Sequence, residues 1–142
     1  MDANELAARV AYAMLGAEGT GPAWGIKIEA AREGYARVSM RIRPDMLNGH
    51  GIAHGGMIFA LADTAFAYVC NGANHASVAA QASIVFLGKA EEGETLVAEA
   101  EEVAKEGRAG ATRVSVKTSE GRPVAEFTGY SRTLGGPVVE TN

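Results

Sequence analysis

Between Asn48 and Asn71 the sequence places a lone carboxylate, Asp63, inside an apolar run, and a glycine pair, Gly55-Gly56, where a turn-rich loop enters that run. Met57 to Asn71 is apolar on every face of a helix, the pattern of a helix buried all round. An ionised carboxylate in such a helix has a large desolvation cost unless something compensates it. Perturbed carboxylates concentrate at functional sites, which makes Asp63 the first candidate for a general base or nucleophile. The structural alternative is a carboxylate tied to backbone amides or to an arginine. Glycine amides at a helix N-terminus approach an oxygen closely and stabilise negative charge on it, the chemistry of an oxyanion hole. The same pair also suits a plain tight turn.

Spacing constrains how these groups cooperate. At 1.5 Å per residue, Gly55 and Asp63 lie roughly 12 Å apart along a helix, whereas a reacting carbonyl needs donor and base within about 3 Å. If both act on one substrate, they come from different subunits. His50 and His54 are four residues apart, but Gly51-Ile52-Ala53 between them holds no Glu, and no carboxylate or cysteine is close by, so a metal site is not expected. His54 is read as orienting the loop or facing the substrate, and Asn48 beside Gly49 as a turn residue. Cys70 is read as a small core residue, because no basic group nearby would stabilise a thiolate. No Gly-x-Ser-x-Gly elbow occurs.

The elements that must hold these groups are legible from periodicity. Asp2 to about Leu15 spaces Leu6, Val10 and Met14 on one face of an amphipathic helix, with Asp2 and Glu5 as a capping pair and Gly16 as a stop. Glu18 to Gly25 reads as a loop, with Trp24 as a packed anchor rather than a stacking platform. Ile26 to Ala30 and Tyr35 to Ile42 alternate around Glu33-Gly34, a hairpin that Pro44 ends. After Gly72, strands are expected at Val78 to Leu87, Thr95 to Val103, Ala111 to Thr118 and Val124 to Leu134. Breaks at Gly93, Glu106-Gly107-Arg108 and Glu120 to Pro123 each read as hairpin connections, which predicts an antiparallel meander. Gly135 to Asn142 reads as a frayed or loosely docked tail. A sheet curling around one buried helix is an α+β arrangement, and a second copy would cover the helix's remaining side and the sheet edges.

Composition narrows the partners. With 142 residues, 47% of them hydrophobic and 21% charged, and no linker or repeat, one globular domain over 1–142 is expected. A net charge of −4 with scattered basic residues gives no electrostatic reason to bind nucleic acid or an anionic membrane. The N-terminus lacks the positive region of a signal peptide, the apolar run is too short to span a bilayer, and a single free cysteine suits a reducing compartment; a cytoplasmic protein is expected.

The run Asn48-Gly49-His50-Gly51, His54-Gly55-Gly56, Ile58-Phe59 and Leu61 to Ala67 resembles the hotdog-fold acyl-CoA thioesterases, and closely the phenylacetate-degradation (PaaI-type) branch. The element order from Ile26 to Leu134 fits that fold. The resemblance implies a sheet wrapped around the central helix, a homodimer with a continuous sheet, and commonly a homotetramer of two dimers. It implies an acyl-CoA substrate, phenylacetyl-CoA or its ring-hydroxylated derivatives, with CoA as part of the substrate and no retained cofactor. By position it assigns Gly55 as the amide polarising the thioester carbonyl and Asp63 as the catalytic carboxylate from the facing subunit. Asn48 and His54 become polar residues around the carbonyl or water, and Gly56 and Thr64 substrate-binding residues. Where relatives place a Ser or Thr early in the next strand to hold the water, this chain has Ala79, Ala80 and Gln81, with Ser77, Ser83 or Thr64 as substitutes. The fold also hosts acyl-CoA hydratases or dehydratases and non-catalytic acyl-CoA-binding proteins.

Overall fold

The structure, a computed structural model, describes residues 1–141. Helix α1 runs Ala3–Ala17, a short α2 Thr20–Trp24, strands β1 Lys27–Arg32 and β2 Tyr35–Arg41, a 3-10 turn Pro44–Met46, and the central helix α3 Gly55–Cys70. Four strands follow: β3 Ser77–Phe86, β4 Thr95–Glu106, β5 Ala109–Thr118 and β6 Pro123–Thr133. All six strands form one antiparallel sheet in the order β1-β2-β4-β5-β6-β3. It wraps around α3, the hotdog architecture that the resemblance implies.

Register explains the wrap. Val38, Ala98, Val116 and Ala125 are successive cross-strand partners, and Ala36, Ala100, Val114 and Phe127 form the next such row. All are buried, and the small residues along β2 and β4 leave a hollow that α3 fills with Leu61, Ala62, Ala65 and Phe66. Phe127 stacks edge-on against Phe59, with ring centroids 5.2 Å apart, and against Phe66 at 5.8 Å. Within one chain, α3 is not buried all round. Ala60, Asp63, Thr64, Ala67 and Cys70 lie on a face only half-covered, because a single sheet reaches only one side of the helix.

The predicted hairpin at Glu33-Gly34 is present, as are the β4–β5 and β5–β6 hairpins. The meander is not. β3 pairs with β6 at the far edge, so the Gly93 segment is a crossover rather than a hairpin. Residues 87–94 are long for a tight hairpin, and they bury Ala90 and bond to both Ala53 and Ile42 as they cross to start β4 beside β2. The expected loop at Glu18 to Gly25 contains α2 instead. Pro22 stands in its first turn, where a missing N–H costs nothing, and Gly25 closes it. Gly16 does not stop α1, which continues to Ala17, while the Asp2/Glu5 capping box forms as expected. Past Gly135, the tail is tied as far as Val139: Asn74 Oδ1 accepts from the Val138 and Val139 amides at 2.9 Å each. No helix of the described residues is long and apolar enough to cross a membrane.

α1 lies over β1 through Ala7, Val10 and Ala11 and is joined to α3 at its C-terminal end, where Tyr68 Oη donates to Glu18 Oε1 at 2.9 Å. Glu18 Oε2 is buried with no partner in good hydrogen-bond geometry among the described residues, and desolvation pushes the Glu18 carboxyl above its ordinary range, partly offset by the Tyr68 hydroxyl and then by that of Thr20. The folded state therefore favours the protonated acid. This group's stabilising contribution is present at low pH and lost as pH rises from the unfolded value through the raised folded one. Glu18→Gln keeps an oxygen acceptor for Tyr68 and removes the charge. It should raise Tm at pH 7 by about 1–3 °C, an advantage that shrinks toward pH 4 in melts followed by circular dichroism.

Candidate active site

The loop entering α3 is built by Asn48. Its Oδ1 accepts from the His50 amide at 2.9 Å and the Ile52 amide at 3.3 Å, and its own amide donates to Ile52 O at 2.8 Å. A short Asx side chain organises such a turn because its oxygen mimics a backbone carbonyl. The expected turn role is thus met, and the Asn48 side-chain nitrogen has no partner among the described residues.

His54 anchors the other end of the loop and caps the helix. Its amide donates to Met46 O at 2.8 Å, and its imidazole Nδ1 accepts from the Gly56 amide at 2.8 Å, which places the ring proton on Nε2. The His54 carbonyl accepts from Met57 at 2.9 Å and Ile58 at 3.3 Å. Three of the four orphan amides of the first turn are thereby satisfied. The Gly55 amide is left without a partner among the described residues.

Gly55 lines a cleft of about 360 Å³ together with Asn48, Ile52, Ala53, Ile58 and the Phe86 to Lys89 stretch. A Cβ at Gly55 would come within 3.1 Å of Phe86 Cζ, so the absent side chain is what lets this ring lie over the helix start. The Phe86–Lys89 wall was not foreseen from sequence. Its only local signal is Phe86-Leu87 ahead of Gly88, and its placement opposite Gly55 follows from β3 pairing with β6. A larger cleft of about 490 Å³, between Trp24, Arg41 and Glu92, shares no residue with this one.

Asp63 does not line the cleft. It stands on the half-covered face of α3, eight residues beyond Gly55 and thus roughly 12 Å along the axis. Its carboxylate has no hydrogen-bond partner among the described residues, and burial pushes its carboxyl above the ordinary aspartate range. Next to it, the Thr64 hydroxyl donates to Ala60 O at 2.8 Å, leaving its lone pairs open. Gly56 has spent its amide on His54. Cys70 is a half-buried thiol, pushed up to about 12 by desolvation and then by the Asp63 charge, so it supplies no thiolate near neutral pH. His50 is exposed, and among the described residues no three His, Cys, Asp or Glu side chains converge. Ser77 is committed to His75 O and Thr133 at the start of β3, and Ser83 is exposed.

A helix N-terminus with one unspent amide over a cleft, carried on a helix inside a curled antiparallel sheet, is the construction of a hotdog-fold thioesterase. The thioesterase superfamily model matches residues 50–125, and the chain belongs to that family. Within the family it falls in the PaaI-type branch, and it is a thioester hydrolase. It is 39% identical over 128 residues to the acyl-coenzyme A thioesterase PaaI of Escherichia coli K12, covering 90% of this chain and 91% of that one. The structure of the E. coli PaaI protein from the phenylacetic acid degradation operon superposes with a TM-score of 0.94 at 38% identity, over 96% of this chain and 99% of that one. A thioesterase protein from Streptococcus pneumoniae TIGR4, solved with coenzyme A, superposes with a TM-score of 0.76 at 28% identity, over 79% and 90%.

The His54 cap has a measurable consequence. His54→Ala leaves the Gly56 amide unsatisfied and should lower stability by about 1 kcal/mol, read as an earlier urea midpoint with an unchanged m-value.

Proposed function

We propose that this chain, as one domain in a cytoplasmic homodimer or dimer of dimers, hydrolyses acyl-CoA thioesters of the arylacetyl type, phenylacetyl-CoA or its ring-hydroxylated derivatives. The products are the free acid and CoA. One observation carries the reading: Gly55 lines the cleft, and its amide is the donor of the α3 first turn that has no partner among the described residues. The relatives named above supply the substrate class, one from a phenylacetic acid degradation operon and one solved with coenzyme A.

The thioester carbonyl oxygen accepts from the Gly55 N–H, with the positive end of the α3 dipole behind it. Asp63 of the facing subunit takes a proton from water as the water oxygen attacks the carbonyl carbon. The tetrahedral intermediate collapses, the C–S bond breaks, and the CoA thiolate leaves and is protonated. Asn48 and His54 hold the polar surroundings of the carbonyl and the water, and Gly56 and Thr64 border the bound thioester. Direct attack by Asp63, giving a mixed anhydride that water then opens, uses the same positions. A single turnover in ¹⁸O-water separates general-base attack from an anhydride that water opens at the Asp63 carbonyl: the first puts one ¹⁸O into the acid, and the second releases unlabelled acid and puts the ¹⁸O into Asp63. Two features support assembly in pairs. β3 exposes Val78, Val85 and Phe86 at an open sheet edge, and the α3 face with Asp63 is half-covered.

Thiol release across a panel of acyl-CoAs tests the substrate class. The highest kcat/KM is expected for phenylacetyl or hydroxyphenylacetyl-CoA, and a preference for long aliphatic chains would overturn it.

The shared site makes a sharper demand. Asp63→Asn should lower kcat by about a hundredfold or more with little change in binding. Gly55→Pro deletes the donor amide after a His54 already extended at ψ 135° and should lower kcat by about 10²–10³, whereas Gly55→Ala, whose Cβ presses on Phe86 in the same way but keeps the amide, should lose far less. When the two inactive proteins exchange subunits, one site of each mixed dimer receives both intact residues, so about half of wild-type activity per heterodimer should return. Exchange proven by mass spectrometry without recovered activity would refute catalysis across subunits.

A further inference from the structure

The wall of the cleft opposite Gly55 has no regular structure of its own past Phe86, so something else must hold it. Leu87 and Gly88 both donate to Val124 O, at 2.8 and 3.2 Å. A Cβ on Gly88 would lie 2.9 Å from Pro123 O, so the wall presses directly on the β5–β6 hairpin. Beyond it, the chain turns through Lys89 to Glu94, and one side chain closes that turn from outside. Arg122 Nη1 donates to Lys89 O, and Nη2 donates to both carboxylate oxygens of Glu94 at 2.8 Å. Glu94 Oε1 in turn accepts from the Glu91 amide at 2.8 Å. These bonds hold the Glu94 carboxyl below its ordinary range, the Glu91 amide being the larger influence and Arg122 the next. Arg122 is itself fixed in a hairpin that Thr118 closes from both sides, accepting from the Arg122 amide with Oγ1 at 3.1 Å and donating its own amide to Arg122 O at 2.9 Å.

We infer that Arg122 is a positioning residue of the active site, clamping the 89–94 turn so that the Phe86–Lys89 wall keeps its distance from the Gly55 amide. The inference rests on the reading of this cleft as the thioester site. A planar guanidinium serves two acceptors at once, which a lysine ammonium on a flexible stem does less well. The pair is nearly half exposed on the Arg122 side, so its worth to global stability is small. Its worth to a cleft wall is larger, because a displacement of about 1 Å near a reacting centre already matters.

The test measures wall and site separately. In Arg122→Ala, hydrogen exchange should quicken by about tenfold at the amides of residues 89–94 while α3 and β5 stay protected. KM for the acyl-CoA that the wild type turns over best should rise by about fivefold, with kcat within about twofold and Tm nearly unchanged. Arg122→Lys should recover part of the KM loss, and Glu94→Gln, which weakens the clamp from the other side, should reproduce it. Faster exchange with unchanged KM would show a loose turn that does not shape the site, and unchanged exchange would show no clamp; either overturns the inference. A fall in Tm with KM unmoved, or opposite KM effects in Arg122→Ala and Glu94→Gln, overturns it as well. A wild type that hydrolyses no acyl-CoA defeats the functional reading first, and this inference with it.

Discussion

Leu61, Ala62, Ala65 and Phe66 turn one face of α3 into the hollow of the sheet, and the structure is arranged around removing that face from water. Each large side chain buried there contributes about 1.5–3 kcal/mol. The alanines of β2 and β4 exist on the inner face because a helix must fit against them, and the aromatic pairs of Phe127 with Phe59 and Phe66 anchor the far side. A helix held this firmly carries its N-terminus to a fixed place. Precision at the Gly55 amide is therefore inherited from the core rather than built by the loop.

The same helix carries two polar groups without a hydrogen-bond partner among the described residues. His54 satisfies three first-turn amides with one side chain and one carbonyl, and the Gly55 amide stays open. Asp63 sits half-buried with no hydrogen-bond partner among the described residues, its carboxyl raised by desolvation. In a protein under selection for stability alone, both would be satisfied or replaced. In the proposed mechanism these two groups serve the developing oxyanion and the water proton, and α3 holds them about 12 Å apart.

The crossover from β3 to β4 turns a sheet into a site. Had β3 paired with β4, Phe86 to Lys89 would have lain in a hairpin far from α3. Because β3 runs beside β6, its end faces the start of α3, and the returning chain passes beneath the loop, where Ala53 bonds Ala90 and Ile42 bonds Gly93 and Glu94. One continuous stretch thereby supplies a cleft wall, a buried plug at Ala90 and the return to the sheet.

Helices α1 and α3, the first hairpin and the two later hairpins were legible in the sequence, and Asp63, Gly55, His54 and Asn48 stood out there as candidates. Their signals are local: apolar spacing has the period of the element that displays it, and a charge in an apolar run is visible wherever the run goes. The α2 turn was misread because glycine and proline mark helix ends as readily as loops. Strand order was beyond reach for a different reason. An alternating strand fits any neighbour with a matching inner face, so the place of β3 beside β6 is decided by long-range pairing over the whole sheet. The cleft wall and the Arg122 clamp follow from that pairing and from the close packing of loops it brings together, whereas the His54 cap on Gly56 is a local bond two residues apart. The sequence by itself determined which groups could do chemistry; only the tertiary structure decided which of them face each other, because facing depends on contacts between residues far apart in the chain.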